Sequence, residues 1–390
     1  MTDTSPGRLR PGPANSLTDV AGLQAGHASR RGAGWLTGTT VIVAQGDGAT
    51  AGVDVRGGGP GTRETDQLDT RNSAERVHAI VLGGGSAFGL AAADGVMSRL
   101  ARDGRGKLVG PASGNVVPIV PAAIIFDLGR GGDFSCRPGA EFGAAAYDAA
   151  VASTGADRPA REDSIITAGG NATGAVGAGT GAVAGGLKGG VGMASVVLES
   201  GGTVAAMAVV NCAGSVLHPE TAVLYGAALG LPREFDWLAH PQPGDIAHGA
   251  RFLRPPGHAP ARALNATIGV IATDLALTKA QCAKMASVGH DGLARAVRPA
   301  HSMFDGDTIF GPSTGDTAGH EHSAGNYGAS ADGRSSSSIF HQLLAAAADC
   351  FTRAIVHGVL SATSATTPAG HWPAYLDVFT SAGPAPPQSR

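Results

Sequence analysis

Charge is scarce in this chain. Only 15% of its 390 residues are Asp, Glu, Lys or Arg, against roughly a quarter in ordinary globular domains. The formal net charge is -3 and no basic block occurs. That argues against a dedicated nucleic-acid binder and against an electrostatic membrane anchor. Cysteines number four, Cys136, Cys212, Cys282 and Cys350, far apart and with no CxxC spacing. They read as reduced, mostly buried thiols of a cytoplasmic protein rather than a disulfide framework. No run of about 18 apolar residues is free of glycine and charge, so no transmembrane helix is expected. Met1 to Ser16 lacks an apolar centre, so no signal peptide is expected. Long polar low-complexity tracts are missing too, which excludes a disordered chain.

Glycine, by contrast, is abundant, at 61 residues, roughly twice the usual share of about 7%. The glycines follow no G-X-Y period, which excludes collagen, and no tandem repeat is present. With 43% apolar residues the chain can bury a sizeable core. Its length suits one large domain or two ordinary ones.

Residues 1–16 and 382–390 read as loose tails around a domain at 17–381. Val41–Ala44 and Ala51–Val55 look like a hairpin turned by Gly46-Asp47-Gly48. His78–Leu82 reads as a strand, and a helix is expected from Ala87 to Arg102, with small residues that allow close packing. Val116–Leu128 reads as extended because Pro118 and Pro121 disfavour helix. Phe142–Ser153 reads as a helix. Ala194–Glu199, Val204–Val210 and Thr267–Ala272 read as strands. Thr278 is placed to cap a helix running to Ala296, and Ile339–Ser361 reads as another. Residues 213–262 look like a surface connector and 313–337 like a mobile loop. Strands and helices mix without strict alternation, so the pattern favours an α+β fold.

Four motifs carry chemistry at least in outline. Gly83-x-Gly85 follows a strand, but the next glycine comes one position late for a dinucleotide loop, and no phosphate-binding GxxxxGK[ST] occurs. Gly84-Gly-Ser-Ala-Phe-Gly89 misses the nucleophile-elbow pattern, with Phe88 where glycine must stand. His320-Glu321-His322, with His301 and the nearby aspartates, reads as solvated loop residues, and no metal or cofactor is expected. Phe304-Asp305-Gly306-Asp307-Thr308 sets two carboxylates one residue apart between apolar neighbours. Such a pair can hold a cation, share a proton, or orient an amine and a hydroxyl.

Several segments together resemble one family. They are Gly83-Gly-Gly-Ser-Ala-Phe-Gly-Leu90, Gly177-Ala-Gly-Thr-Gly181, Leu187-Lys-Gly-Gly190, Val209-Val-Asn211, Asn265-Ala-Thr-Ile-Gly-Val-Ile-Ala-Thr-Asp274 and His301-Ser-Met-Phe-Asp-Gly-Asp-Thr308. The resemblance, over roughly residues 16–365, is to the DmpA/BapA-type aminopeptidases and β-aminopeptidases, with the nylon-oligomer hydrolase NylC as a cousin. It implies an αββα sandwich similar to N-terminal nucleophile hydrolases. It also implies a precursor that cuts itself before a Ser or Thr, whose freed α-amine then serves as its base. The implied substrates are amides of N-terminal α-, β- or ω-amino acids. The implied assembly is a tetramer or larger homo-oligomer.

On this resemblance the cut falls after Asn265. Asp305 and Asp307 match the acidic pair that orients the nucleophile, and Asn211 matches the amide that holds the oxyanion. Lys188 lies near the family lysine, which aligns two positions earlier at Gly186. Phe126 falls where cousins place a tyrosine. The largest departure is Ala266, which fills the nucleophile position without a hydroxyl. Thr267 is the fallback, but successive strand residues point to opposite faces. The expectation is therefore an amidohydrolase fold in an uncut, inactive chain. A non-catalytic binding relative and an active hydrolase using Thr267 are the alternatives.

Overall fold

The computed structural model describes residues 9–152, 164–199, 201–253, 264–315 and 336–384. Eleven strands build its two main sheets: β1 (Leu23–Gly32), β2 (Trp35–Ala44), β3 (Thr50–Val55), β4 (Thr62–Arg63), β5 (Ala79–Gly83), β6 (Ala122–Ile124), β7 (Ile166–Gly169), β8 (Val191–Val197), β9 (Thr203–Val209), β10 (Ile268–Thr273) and β11 (Thr308–Ser313). One sheet runs β4-β6-β5-β2-β1-β7 and the other β8-β9-β10-β11-β3. Helices α1 (Ala92–Arg102) and α2 (Ala140–Val151) cover the first sheet; α3 (Lys279–Ala296) and α4 (Ser336–Leu360) cover the second. This is a helix–sheet–sheet–helix sandwich, an α+β fold.

Strand alternation sorts the apolar residues into its three internal seams. On β2, Ile42 and Ala44 face the second sheet, whereas Val41 and Val43 face α1 and α2. On β10, Ile268, Val270 and Ala272 face the first sheet, whereas Ile271 packs with residues of α3 and α4. Small residues set the helix spacing: a Cβ on Gly95 of α1 or Gly143 of α2 would stand 1.8 Å from a carbonyl oxygen of the other helix. Thr278 caps α3 in a reciprocal box with Gln281, satisfying N–H groups that the first turn leaves unpaired. Ser337–Leu360 is long and apolar enough to cross a membrane, but 72% of its most apolar window is buried in the protein. It packs against β8, β9 and α3 as a core helix.

Several sequence expectations are corrected. The segments at 41–44 and 51–55 are strands but not a hairpin: β2 pairs with β1 and β5, while β3 crosses to the second sheet and pairs with β11. The hairpin is instead β1–β2, turned at Ala33 and Gly34, both in the left-handed region (φ 47° and 88°). Its first strand carries Gly, Ala, His and Arg rather than a β-branched run, so local composition hid it.

The described part of the N-terminal segment is fastened. Gly12 N–H donates to Ser195 Oγ at 3.0 Å, and Asn15 Oδ1 accepts from Ser195 N–H and from Arg353 Nη2, both at 2.9 Å. Ala382 is likewise buried, in a short 3-10 turn. The connector at 213–262 buries Val216, Leu217, Leu224, Phe235 and Phe252 over the second sheet. Irregular backbone buries side chains without a period, so pattern reading sees a surface. Residues 254–263 and most of the 313–337 stretch lie outside the described residues, as does His320-Glu321-His322.

Candidate active site

Sheet topology makes the site. β9 runs antiparallel to β10, and β10 runs parallel to β11. The end of β9 and the starts of β10 and β11 therefore meet at one edge. Asn211 follows β9, Asn265 and Ala266 precede β10, and Asp305 to Asp307 precede β11. Backbone bonds lock these ends together. Ala266 N–H donates to Asn211 O at 2.8 Å, Asn265 N–H to Phe304 O at 2.8 Å, and Gly306 N–H to Asn265 O at 2.9 Å. The carbonyl of the 265–266 peptide thus rests on a backbone donor. Gly306 is needed for that approach: a Cβ there would stand 2.7 Å from Gly59 O and 3.3 Å from the Ala266 methyl.

Ala266 lies in the seam between the sheets, with Ile268 and Val270. Alternation turns Thr267 to the other face, where its buried hydroxyl has no partner among the described residues. Thr267 enters the site only through its backbone, whose N–H donates to Asp307 Oδ1 at 2.7 Å.

The two aspartates are 1% exposed and brace the backbone. Asp307 Oδ2 accepts from His301 N–H at 3.0 Å and lies 2.8 Å from His301 Nδ1. Asp305 Oδ1 accepts Ala213 N–H at 2.9 Å, and its other oxygen accepts the Ser302 hydroxyl. Burial first, and the Asp307 charge second, push the Asp305 carboxyl above its ordinary value.

Lys188 is fully buried, and its ammonium donates to the carbonyls of Gly179 (3.0 Å), Ala182 (3.0 Å) and Gly189 (2.7 Å). These bonds fasten the glycine-rich segment; none of them reaches Ala266. Burial, with the Arg130 and Arg31 charges, depresses its pKa well below the lysine range.

Asn211 is 0% exposed. Its Oδ1 accepts Val183 N–H at 3.0 Å and Arg130 Nη1 at 2.6 Å, while Nδ2 has no partner among the described residues. Arg130 is the residue that sequence reading missed. Nη1 also donates to Gly181 O at 2.6 Å, and Nη2 reaches Asn265 Oδ1 at 3.4 Å. Burial lowers its pKa to about 10, against the pull of Asp127. It sits in the glycine-flanked turn after β6, far in sequence from its partners. The only local signal was a cation set among glycines between Asp127 and Asp133.

The Gly83-x-Gly85 loop holds one of the protein's own carboxylates: Gly85 N–H donates to Asp127 Oδ1 at 2.7 Å. A Cβ on Gly84 would stand 2.2 Å from Asp127 Oδ2 and from Thr37 Oγ1, so the loop is packed against side chains rather than open to a phosphate. Burial raises the Asp127 pKa, against opposing help from Thr37, Gly85, Arg130 and Lys188. No group of three or more metal-binding side chains occurs among the described residues.

Comparison with known proteins adds the following. The description of Peptidase family S58 matches residues 15–372. An uncharacterized aminopeptidase of Mycobacterium leprae (strain TN) is 46% identical over 370 residues, covering 91% of this chain and 93% of that protein. An uncharacterized aminopeptidase of Mycobacterium tuberculosis (strain ATCC 25618 / H37Rv) is 46% identical over 374 residues, covering 94% and 99%. Among solved structures, a Burkholderia sp. beta-aminopeptidase superposes with a TM-score of 0.64 at 23% identity, covering 98% of each chain. The L-aminopeptidase D-Ala-esterase/amidase of Ochrobactrum anthropi, described as a variant of the Ntn hydrolase fold, gives 0.63 at 18% identity, covering 96% of each. At those identities the structures speak to fold alone, and the fold agrees.

Proposed function

The chain belongs to peptidase family S58, and on that premise we propose that it is a self-processing aminopeptidase scaffold held uncut because Ala266 has no hydroxyl. The observation that carries this reading is the environment of the Ala266 methyl. It stands at the start of β10 in the inter-sheet seam. The carbonyl before it rests on Gly306 N–H, and the unpartnered Asn211 Nδ2 belongs to the residue bonded to its own N–H.

With a hydroxyl on residue 266, the chemistry runs in two steps. The oxygen attacks the Asn265 carbonyl carbon, and the negative charge that develops on the carbonyl oxygen is held by Gly306 N–H and Asn211 Nδ2. The C–N bond breaks and the proton passes to the departing nitrogen, leaving an ester. That step already frees the α-amine of residue 266; water then hydrolyses the ester, releasing a carboxylate on Asn265 and restoring the hydroxyl of residue 266. That amine becomes the general base for the same hydroxyl. Asp305 and Asp307 keep the strand ends in register around it. In this reading the substrates are small peptides or amides with an N-terminal α-, β- or ω-amino acid. The protein works in the cytoplasm as a homo-oligomer of four or more chains.

Ala266→Thr tests the proposal. Intact mass should resolve chains of 265 and 125 residues, with Thr at the new terminus and with turnover of aminoacyl or β-aminoacyl amides. A variant that stays whole and inert would refute it. So would a fragment of the unaltered protein beginning at Thr267, which would place the nucleophile one residue later. Tight binding of a small amine or peptide, with no turnover by the variant, would favour a non-catalytic relative.

A further inference from the structure

A buried amide with an unused donor costs stability. Leaving such a group unpaired forfeits its solvation without return, and native proteins rarely tolerate it without a reason. Asn211 Nδ2 is such a donor. Why does the amide not rotate to use it? Its oxygen already faces two donors, Val183 N–H at 3.0 Å and Arg130 Nη1 at 2.6 Å. Rotation would put an NH2 group against both. The backbone N–H alone could tolerate some rocking; the guanidinium adds a charged bond, itself anchored on Gly181 O at 2.6 Å. The same fork reaches Asn265 Oδ1 at 3.4 Å, the residue before the proposed cut.

We propose that Arg130 is a positioning residue for the cut and for catalysis: its guanidinium fixes the Asn211 amide with Nδ2 turned into the site and steadies the Asn265 side chain against Asn211. The inference rests on the nucleophile reading of position 266, but half of its test does not. A guanidinium suits this role because its planar fork holds several acceptors at fixed angles. Lysine would keep the charge and lose the fork.

The first measurement uses the uncut protein with 15N-labelled asparagine, the Asn211 signal being identified by its loss in Asn211→Asp. The unaltered chain should give one sharp pair of side-chain amide signals. Arg130→Ala should broaden or split that pair, while Arg130→Lys should shift it, with the other asparagine signals retained to show that both variants stay folded. An unchanged pair in Arg130→Ala overturns the proposal.

The second measurement is the cutting rate in the Ala266→Thr background. Arg130→Ala should slow cutting about 100-fold, the size of losing one oxyanion donor, and added guanidinium ions should restore part of the rate. A purely structural role would show no such rescue, and an undiminished rate overturns the proposal. If Ala266→Thr alone fails to cut, the nucleophile reading falls, while the amide signals still decide whether Arg130 positions Asn211.

Discussion

Two buried polar clusters in this molecule are finished to different degrees. In the first, Glu234 takes Arg353 Nε at 2.6 Å and Nη2 at 2.8 Å, His357 Nε2 at 2.7 Å, Asn15 Nδ2 at 3.0 Å and Leu231 N–H at 2.8 Å. Arg353 also donates from Nη1 to Ser195 O at 2.9 Å. No buried side-chain nitrogen or oxygen of Asn15, Glu234 or Arg353 lacks a partner. In the second, around Ala266, buried Asn211 Nδ2 and His301 Nε2 lack one among the described residues. The first cluster ties the N-terminal segment, the connector and α4 into one body. The second keeps unspent donors and acceptors where chemistry is proposed. A network satisfied throughout rigidifies, whereas one left incomplete is destabilising unless something else uses it.

The largest expected effect breaks the finished cluster. Arg353→Met leaves Glu234 buried without its main partner and should cost about 3–5 kcal/mol in urea unfolding. A loss under about 1 kcal/mol would mean that His357 and Asn15 suffice, and the contrast would weaken. Next comes Lys188→Met, which strands three carbonyls and should cost about 2–3 kcal/mol. It should also speed amide exchange at Gly185 and Gly189, whose N–H groups bond to Cys212 O and Ala182 O in the same region. Unaltered exchange there would show that the lysine is not the fastening.

Acidification sharpens the comparison because the two clusters carry opposite signs. Burial alone would raise the Glu234 pKa, but the bonds from His357 and Arg353 outweigh it and hold the carboxyl far below the ordinary range. Its contribution is therefore complete above the unfolded value of about 4.3 and is lost as pH falls toward the folded one. Glu234→Gln should flatten stability against pH over that interval, as followed by denaturant titration at stepped pH. Asp127, with its pKa raised by burial, behaves in reverse. Its charge penalises the fold above the folded pKa, and the penalty vanishes below about 3.9. Asp127→Asn is the smallest effect and should stabilise the protein at neutral pH by about 1 kcal/mol. A loss of stability there would mean that the carboxylate supports Arg130 more than burial opposes it.

Much of the fold was legible wherever a segment carried its own periodic signal. β10, α3 and α4 fall close to where apolar spacing and the Thr278 cap put them. The β1 strand and the crossing of β3 were not legible: small and charged residues dilute the first, and no local pattern tells which sheet a strand will join. Within the site, Asn211, Asn265, Asp305 and Asp307 converge through sheet topology. Lys188 turns out to serve the glycine-rich segment. Arg130 gave no motif because its partners come from three separate stretches of chain.

The sequence by itself determined the α+β class, the family resemblance and the alanine at position 266, since composition, period and residue identity are local properties. Tertiary structure alone decided that the methyl of Ala266 faces the inter-sheet seam, that Asn211 Nδ2 has no partner among the described residues, and that Arg130 bonds the oxygen of that amide. Those facts depend on strand pairing and on the two sheets stacking. Both bring together groups that no stretch of sequence contains at once.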